Sequence, residues 1–247
     1  MKRLARSGSY DGATRMPDTV AIIAALPREI AALVRGTIAD AGLLRRGIHL
    51  YRIDGAVVVA AGMGAERARL AVETALATGD VGMLISAGLA GGCVAGAEAG
   101  SVIEANVVVD ASTGERFSSA AGRAEKSPAK KVTLATTEAI ANVREKARLA
   151  ASYGATIVDM EAATVARLAR AHGLAFRAIK GVSDAHDFEL ISLARFAGKR
   201  GSFRTGAFAL HTGVRPWTWG KAIKLGRDSS RALAGLDVAL REVLARG

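Results

Sequence analysis

Half of the 247 residues are hydrophobic, enough for one sizeable core. The single cysteine, Cys93, excludes an intrachain disulfide framework and fits a reducing, cytoplasmic setting. No apolar run reaches membrane-spanning length, and the formal net charge of +11 is unevenly spread, nine Lys/Arg facing one acid, Asp228, between Arg195 and Arg231.

Taken in chain order, residues 1–18 are polar and basic with no apolar signal region, and are read as a disordered or tag-like leader before a single domain over 19–247. The apolar run 19–26 suits a strand buried on both faces, and Pro27 suits the first position of a short helix with Arg28 and Glu29 in its first turn. After a polar connection, 49–53 and 56–61 read as a hairpin around Asp54-Gly55. Gly62-Met63-Gly64 turns the chain into a helix over 65–78; 81–87 is the next strand, followed by a glycine-rich loop to Gly100, and 102–109 is another. A strand at 133–136, a helix over 138–151, a strand at 156–158, a helix over 161–171 and a strand at 176–182 continue the alternation.

The segment from Arg195 to Arg231 also holds Phe196, Phe203, Phe208, Trp217 and Trp219. Basic plus aromatic is the composition of a surface that docks peripherally to anionic headgroups, here at the inner membrane face. The alternative is a solvated helical face with its rings in the core or at a subunit contact. No nucleic-acid partner is expected. A closing helix from about Trp219 offers Ile223, Leu233, Leu236, Val238, Leu240 and Leu244 as its apolar side.

Chemistry concentrates at two junctions. Ile157-Val158-Asp159-Met160-Glu161-Ala162-Ala163 reads as a strand ending on two carboxylates and running into an amphipathic helix. Gly181-Val182-Ser183-Asp184 delivers another carboxylate at the carboxyl end of a strand, where open parallel sheets place their ligands. The two junctions are expected to be neighbours. Gly62-Met63-Gly64-Ala65-Glu66-Arg67 lacks the third glycine of a dinucleotide turn, and Ser86 lacks a Gly-x-Ser-x-Gly elbow. Asp184, His186 and Asp187 lie on one loop without further ligands, so no metal is expected.

Val158-Asp159-Met160-Glu161-Ala162-Ala163, followed after one helix by Val182-Ser183-Asp184, resembles the signature of the purine nucleoside phosphorylase and methylthioadenosine/S-adenosylhomocysteine nucleosidase superfamily. The resemblance extends over roughly residues 19–190, through Ala25-Leu26-Pro27-Arg28-Glu29, Ala61-Gly62-Met63-Gly64 and Ile85-Ser86-Ala87-Gly88-Leu89-Ala90-Gly91-Gly92. Within the superfamily, Asp110-Ala111-Ser112-Thr113-Gly114-Glu115-Arg116-Phe117 and Arg215-Pro216-Trp217 are similar to the hopanoid-associated phosphorylases. The resemblance implies an α/β fold, a phosphorylase-type three-layer α/β/α sandwich with a central mixed, largely parallel twisted sheet, and a homo-oligomer.

Cleaving an N-glycosidic bond to a purine leaves positive charge on the ribose and negative charge on the base. The site must therefore protonate the base, hold the sugar and present a nucleophile. By resemblance, Asp184 gives the proton, its pKa raised by burial; Glu161 accepts hydrogen bonds from ribose hydroxyls; Met160 packs against the sugar; and Glu29 positions or deprotonates a water. On the residues alone, Asp184 also fits a helix cap and Glu161 an acid placed by a helix dipole. Arg28, near the Gly64 turn, instead suits an anion. Hexameric purine phosphorylases grip phosphate with an arginine and a serine in the glycine-rich loop; the aligned positions here are Ser86 and Leu89, so a phosphate site must be built differently. Asp159 stands where nucleosidases commonly have glutamate and is expected to support its neighbours, with Ser183 and Gly64 completing the substrate-binding set.

The expected activity is release of a purine, adenine by resemblance, from a 5′-modified nucleoside. The resemblance favours adenosylhopane, cleaved by phosphorolysis in hopanoid biosynthesis with phosphate as co-substrate and no cofactor. The alternatives are methylthioadenosine/S-adenosylhomocysteine hydrolysis and a non-catalytic nucleoside-binding protein, against which the trio Glu29, Glu161 and Asp184 speaks.

Overall fold

Alternation along the first strand organises the layers. In β1 (Val20–Ala24), Ala21 and Ile23 enter one core while Ile22 and Ala24 enter the opposite one, as a period of two on a doubly covered strand requires. The computed structural model describes residues 19–79, 81–120, 131–189 and 219–246. The leader and the stretch 190–218, which carries most of the basic, aromatic segment including Trp217, lie outside the described residues.

β1 pairs in parallel with β3 (Ala56–Ala60) on one side and β4 (Met83–Gly92) on the other, and β2 (His49–Ile53) closes the expected hairpin on β3. β10 (Ala175–Asp184) lies along the other side of β4 in parallel, with β5 (Val102–Glu104) antiparallel at its edge. The last residues of β4, Gly91 and Gly92, pair with β9 (Ile157–Asp159), and from there β8 (Thr133–Thr136), β6 (Val107–Asp110) and β7 (Arg116–Ser118) extend the sheet. The expected sandwich is thus present. Helices α3 (Ala65–Leu76) and α5 (Ala162–Ala171) cover one face, and α1 (Pro27–Ile30) with α6 (Trp219–Arg246) the other. α4 (Val143–Tyr153) shields a smaller cluster around Leu149 and Val158.

Several boundaries differ from the sequence reading, each for a local reason. The strand expected over 81–87 runs from Met83 to Gly92, so Gly88, Gly91 and Gly92 of the expected loop are inside it. The helix expected from 138 begins at Val143, because the Asn142 side chain accepts from the Glu145 amide at 2.8 Å and caps it there. The strand expected over 102–109 is two strands, parted at Asn106, whose Oδ1 accepts from the Val132 amide at 2.8 Å. β7 and the short helix α2 (Ala41–Leu44) were not foreseen. On α6, Leu236 and Leu240 are buried as expected, but Ile223 and Val238 are 68% and 56% exposed, off the stripe that meets the sheet.

Candidate active site

The β9–α5 junction is built to release one carboxylate. Asp159 Oδ2 accepts from the Ala162 amide at 3.0 Å, and Thr136 Oγ1 donates to Asp159 Oδ1 at 2.7 Å while accepting from the Ala163 amide at 3.0 Å. Those contacts take up the first amides of α5. Glu161, at the N-cap, makes no capping bond. Its Oε1 instead accepts from the Gly64 amide at 2.7 Å, across from the turn that starts α3. The helix-dipole reading of Glu161 therefore does not describe what its side chain does.

Behind this junction stands Lys180, on β10. Its Nζ lies 2.9 Å from Asp159 Oδ2, donates to Ser86 Oγ at 2.9 Å and to the Ala87 carbonyl at 3.3 Å, so all three ammonium protons have acceptors. Burial opposes its charge, yet the Asp159 and Glu161 carboxylates outweigh it and raise the Lys180 pKa. Glu161 is pushed up to about 7, first by burial and then by the Asp159 charge, with Lys180 and the Gly64 amide pulling the other way. That places it near the working range of a hydrogen-bonding switch.

Glu29 is fixed differently. From the first turn of α1 its Oε2 accepts from the Ala25 and Leu26 amides at 3.0 and 2.8 Å, and its Oε1 from the Leu89 amide at 3.1 Å. Gly88 makes room for it: at φ +127°, a Cβ there would lie 3.0 Å from Glu29 Oε2. Arg28 beside it is exposed.

Asp184 owes its placement to a β-bulge. The β4–β10 register breaks between Val182 and Asp184, so Ser183 is the additional residue and Asp184 is re-aimed across from Gly91. It is 3% exposed, and Oδ2 meets the ammonium of Lys146, from α4, in a short ion pair. Among the described residues Asp184 caps no helix, since a turn follows it, and a buried cation faces its carboxylate.

Arg28, Glu29, Asp159, Met160, Glu161, Ser183 and Asp184 all line one cavity of about 440 Å3, so the two junctions are neighbours and the Glu29 loop joins them. Ser86 and Gly64 do not line it; they act from behind, on Lys180 and Glu161. The lining also includes Ile140 and residues of α6, where Leu225, Ser229 and Leu233 recur every four residues and so share a face. Sequence reasoning missed Lys146, Lys180 and Thr136. The signal for both lysines was a charge on an apolar face: Lys146 is three residues before buried Leu149, and Lys180 lies inside a strand buried on both faces. Among the described residues no three His, Cys, Asp or Glu side chains converge as a metal site, and no helix is long and apolar enough to cross a membrane.

Residues 113–202 match the phosphorylase superfamily, a span that contains Asp159, Glu161 and Asp184. No curated protein matches the chain. The fold is similar to that of a mutant Helicobacter pylori nucleosidase solved with 5′-methylthioadenosine in its active site, at 17% identity and TM-score 0.57, covering 81% of this chain and 99% of that one. It is likewise similar to futalosine hydrolase from Helicobacter pylori, at 18% identity, TM-score 0.57 and coverage of 81% and 98%. A putative 5′-methylthioadenosine/S-adenosylhomocysteine nucleosidase from Francisella philomiragia gives 17% identity, TM-score 0.59 and coverage of 80% and 99%. At such identities the likeness is one of fold. The span that matches the superfamily holds both carboxylate junctions, so that similarity is carried by residues that line the cavity.

Proposed function

We propose that the protein cleaves the N-glycosidic bond of a purine nucleoside that carries an apolar substituent at the 5′ position. The observation that carries this reading is the convergence of Glu161, Asp184 and Glu29 on one cavity that Ile140, Leu225 and Leu233 also line. Glu161 accepts hydrogen bonds from the sugar hydroxyls, which become more acidic as positive charge grows on the ring, so its carboxylate binds the transition state better than the ground state. Asp184 serves the departing base. Glu29, held as an acceptor by three amides, positions the nucleophile at the anomeric carbon.

The charge around the cavity favours water as that nucleophile. Among its described lining residues Glu29, Asp159, Glu161 and Asp184 are acidic, and the cations are Arg28 and Lys146, the latter engaged by Asp184. A phosphate dianion would meet repulsion from the carboxylates at close range. Phosphorolysis is the second reading, favoured by Arg28 on the wall next to Glu29. Adenosylhopane, the substrate suggested by the sequence resemblance, and 5′-methylthioadenosine both present an apolar 5′ group to the α6 wall.

The test is base release from both compounds, with and without phosphate. Release of the unphosphorylated 5-substituted ribose in phosphate-free buffer supports hydrolysis, and strict phosphate dependence would replace it with phosphorolysis. Nucleoside binding without base release would reduce the protein to a binding module.

A further inference from the structure

The Lys146–Asp184 contact has no place in a scheme where Asp184 alone supplies the proton. Lys146 is 1% exposed and its Nζ has three acceptors for three protons: Asp184 Oδ2 in a short contact, the Ala185 carbonyl at 2.9 Å and the Phe188 carbonyl at 3.4 Å. A buried ammonium so enclosed is held for its charge or its proton, since an exposed lysine gains little from a carboxylate. On the other carboxylate oxygen, Ser183 Oγ lies in a short contact with Oδ1 and 3.2 Å from the Ala90 carbonyl. That hydroxyl has one hydrogen and two acceptors. When Asp184 is ionised, Ser183 donates to it; when Asp184 carries a proton on Oδ1, Asp184 donates to Ser183, which turns its hydrogen to Ala90. Both states of Asp184 are therefore hydrogen-bonded without any atom moving far.

We propose that the acid of this site is the Lys146–Asp184 pair, with Lys146 the positioning residue that fixes Asp184 and resupplies its proton. As the N-glycosidic bond breaks, its electron pair passes to the purine. A proton moves from Asp184 to a ring nitrogen of the base, and the Lys146 ammonium replaces it. The lysine leaves the step as a neutral amine and regains a proton from solvent after the base departs. The sugar cation is captured by a water, which passes its proton to the Glu29 carboxylate and from there to solvent. Two described titrating groups beside the pair do not share its proton. Cys93, just beyond the end of β4, has its thiol pushed up to about 12 by burial and stays neutral. Glu145, one residue before Lys146, turns outward to Arg148, at 2.9 Å from its Nε. Gly91 presents no side chain, and a Cβ there would lie 3.2 Å from both Asp184 Oδ2 and Lys146 Cε.

This inference rests on the proposed nucleoside cleavage, and its test keeps the two apart. Base release from 5′-methylthioadenosine by the wild type is measured first; its absence overturns the function reading and the pair with it. With turnover in hand, kcat/KM is followed against pH for Lys146→Met and for Lys146→Gln, the latter retaining a donor to the Ala185 carbonyl should the methionine variant not fold. Both lack the proton reserve, so kcat/KM at mildly alkaline pH should fall on the order of a hundredfold. The loss should shrink as pH drops, because a lone buried carboxyl keeps its proton in acid. The descending limb of the profile thus moves to lower pH. A folded variant with the wild-type profile, or one equally impaired at every pH, overturns the inference. Lys146→Arg adds a discriminating arm, since a guanidinium keeps the charge but does not give up its proton. Arginine should not restore alkaline turnover, and full restoration would reduce Lys146 to a fixed charge.

Discussion

Lys180 and Asp159 form an ion pair 2.9 Å long, with side chains 1% and 0% exposed, directly behind the carboxylate of Glu161. The pair holds the β9–α5 junction in place, because Asp159 also receives the first amide of the helix. Removing one partner leaves a buried charge uncompensated. Lys180→Met should therefore destabilise the protein by about 3–5 kcal/mol in urea unfolding. Adding Asp159→Asn removes the stranded charge and should recover part of that loss. An additive double variant would show that the two residues do not act as a pair.

Glu161 links the same junction to pH. In the proposed cleavage its carboxylate form is the one that accepts the sugar hydroxyls, and its pKa is pushed up to about 7 by burial and by Asp159. The expected result is an ascending limb of kcat/KM near neutral pH that disappears in Glu161→Gln. The amide variant should lose kcat more than it raises KM, by a factor of ~10–100, the worth of a charged hydrogen bond. For stability the sign is the reverse: a folded-state pKa above that of the unfolded chain contributes stability that is present below pH ~4.3 and is lost as pH rises through about 7. Urea titrations at several pH values should show that decline in the wild type and lose it in Glu161→Gln. A limb that persists in the variant would assign the titration to another group.

The glycines of β4 give a prediction about space. At Gly91 an added methyl meets Asp184 Oδ2 and Lys146 Cε at 3.2 Å, while at Gly88 it meets the Glu29 carboxyl at 3.0–3.1 Å with φ at +127°. Gly91→Ala should disturb the Lys146–Asp184 pair and lower kcat with modest loss of stability, since Lys146 has a flexible stem. Gly88→Ala adds backbone strain and should cost ~1–3 kcal/mol as well as activity. Equal, small effects at both positions would show that the strand yields without transmitting the displacement.

These glycines also show where sequence reading stopped. Asp184 was legible because it ends a strand and Glu161 because it stands between a strand and the helix that follows, and strand ends are read from hydrophobic period and from the acid that interrupts it. The alternation of strands and helices foretold the layers for the same reason. The glycines of 88–92 looked like a loop, because their role is to leave volume for Glu29 and Asp184, and volume is a property of pairs of residues distant in sequence. Lys146 and Lys180 were passed over for a related cause: each is explained by a carboxylate on another element, Asp184 for the first and Asp159 for the second. The bulge at Ser183 was equally hidden, since it exists only relative to the register of β4.

In the proposed reaction the 5′ group is expected against α6. Leu225, Ser229 and Leu233 form one stripe of that helix along the cavity, and Leu233 is also a partly buried residue of the core beneath it. Enlarging Leu233 narrows the cavity on the α6 side. Leu233→Trp should therefore lower kcat/KM for 5′-methylthioadenosine by ~10–200-fold, the range over which an apolar pocket discriminates small groups. Adenosine, with only a hydroxyl at that position, should lose much less, because its ribose and base contacts lie on the carboxylate side. The ratio of the two constants is the readout, and it is insensitive to a general loss of folded protein. A ratio unchanged by the substitution would move the 5′ group to another wall.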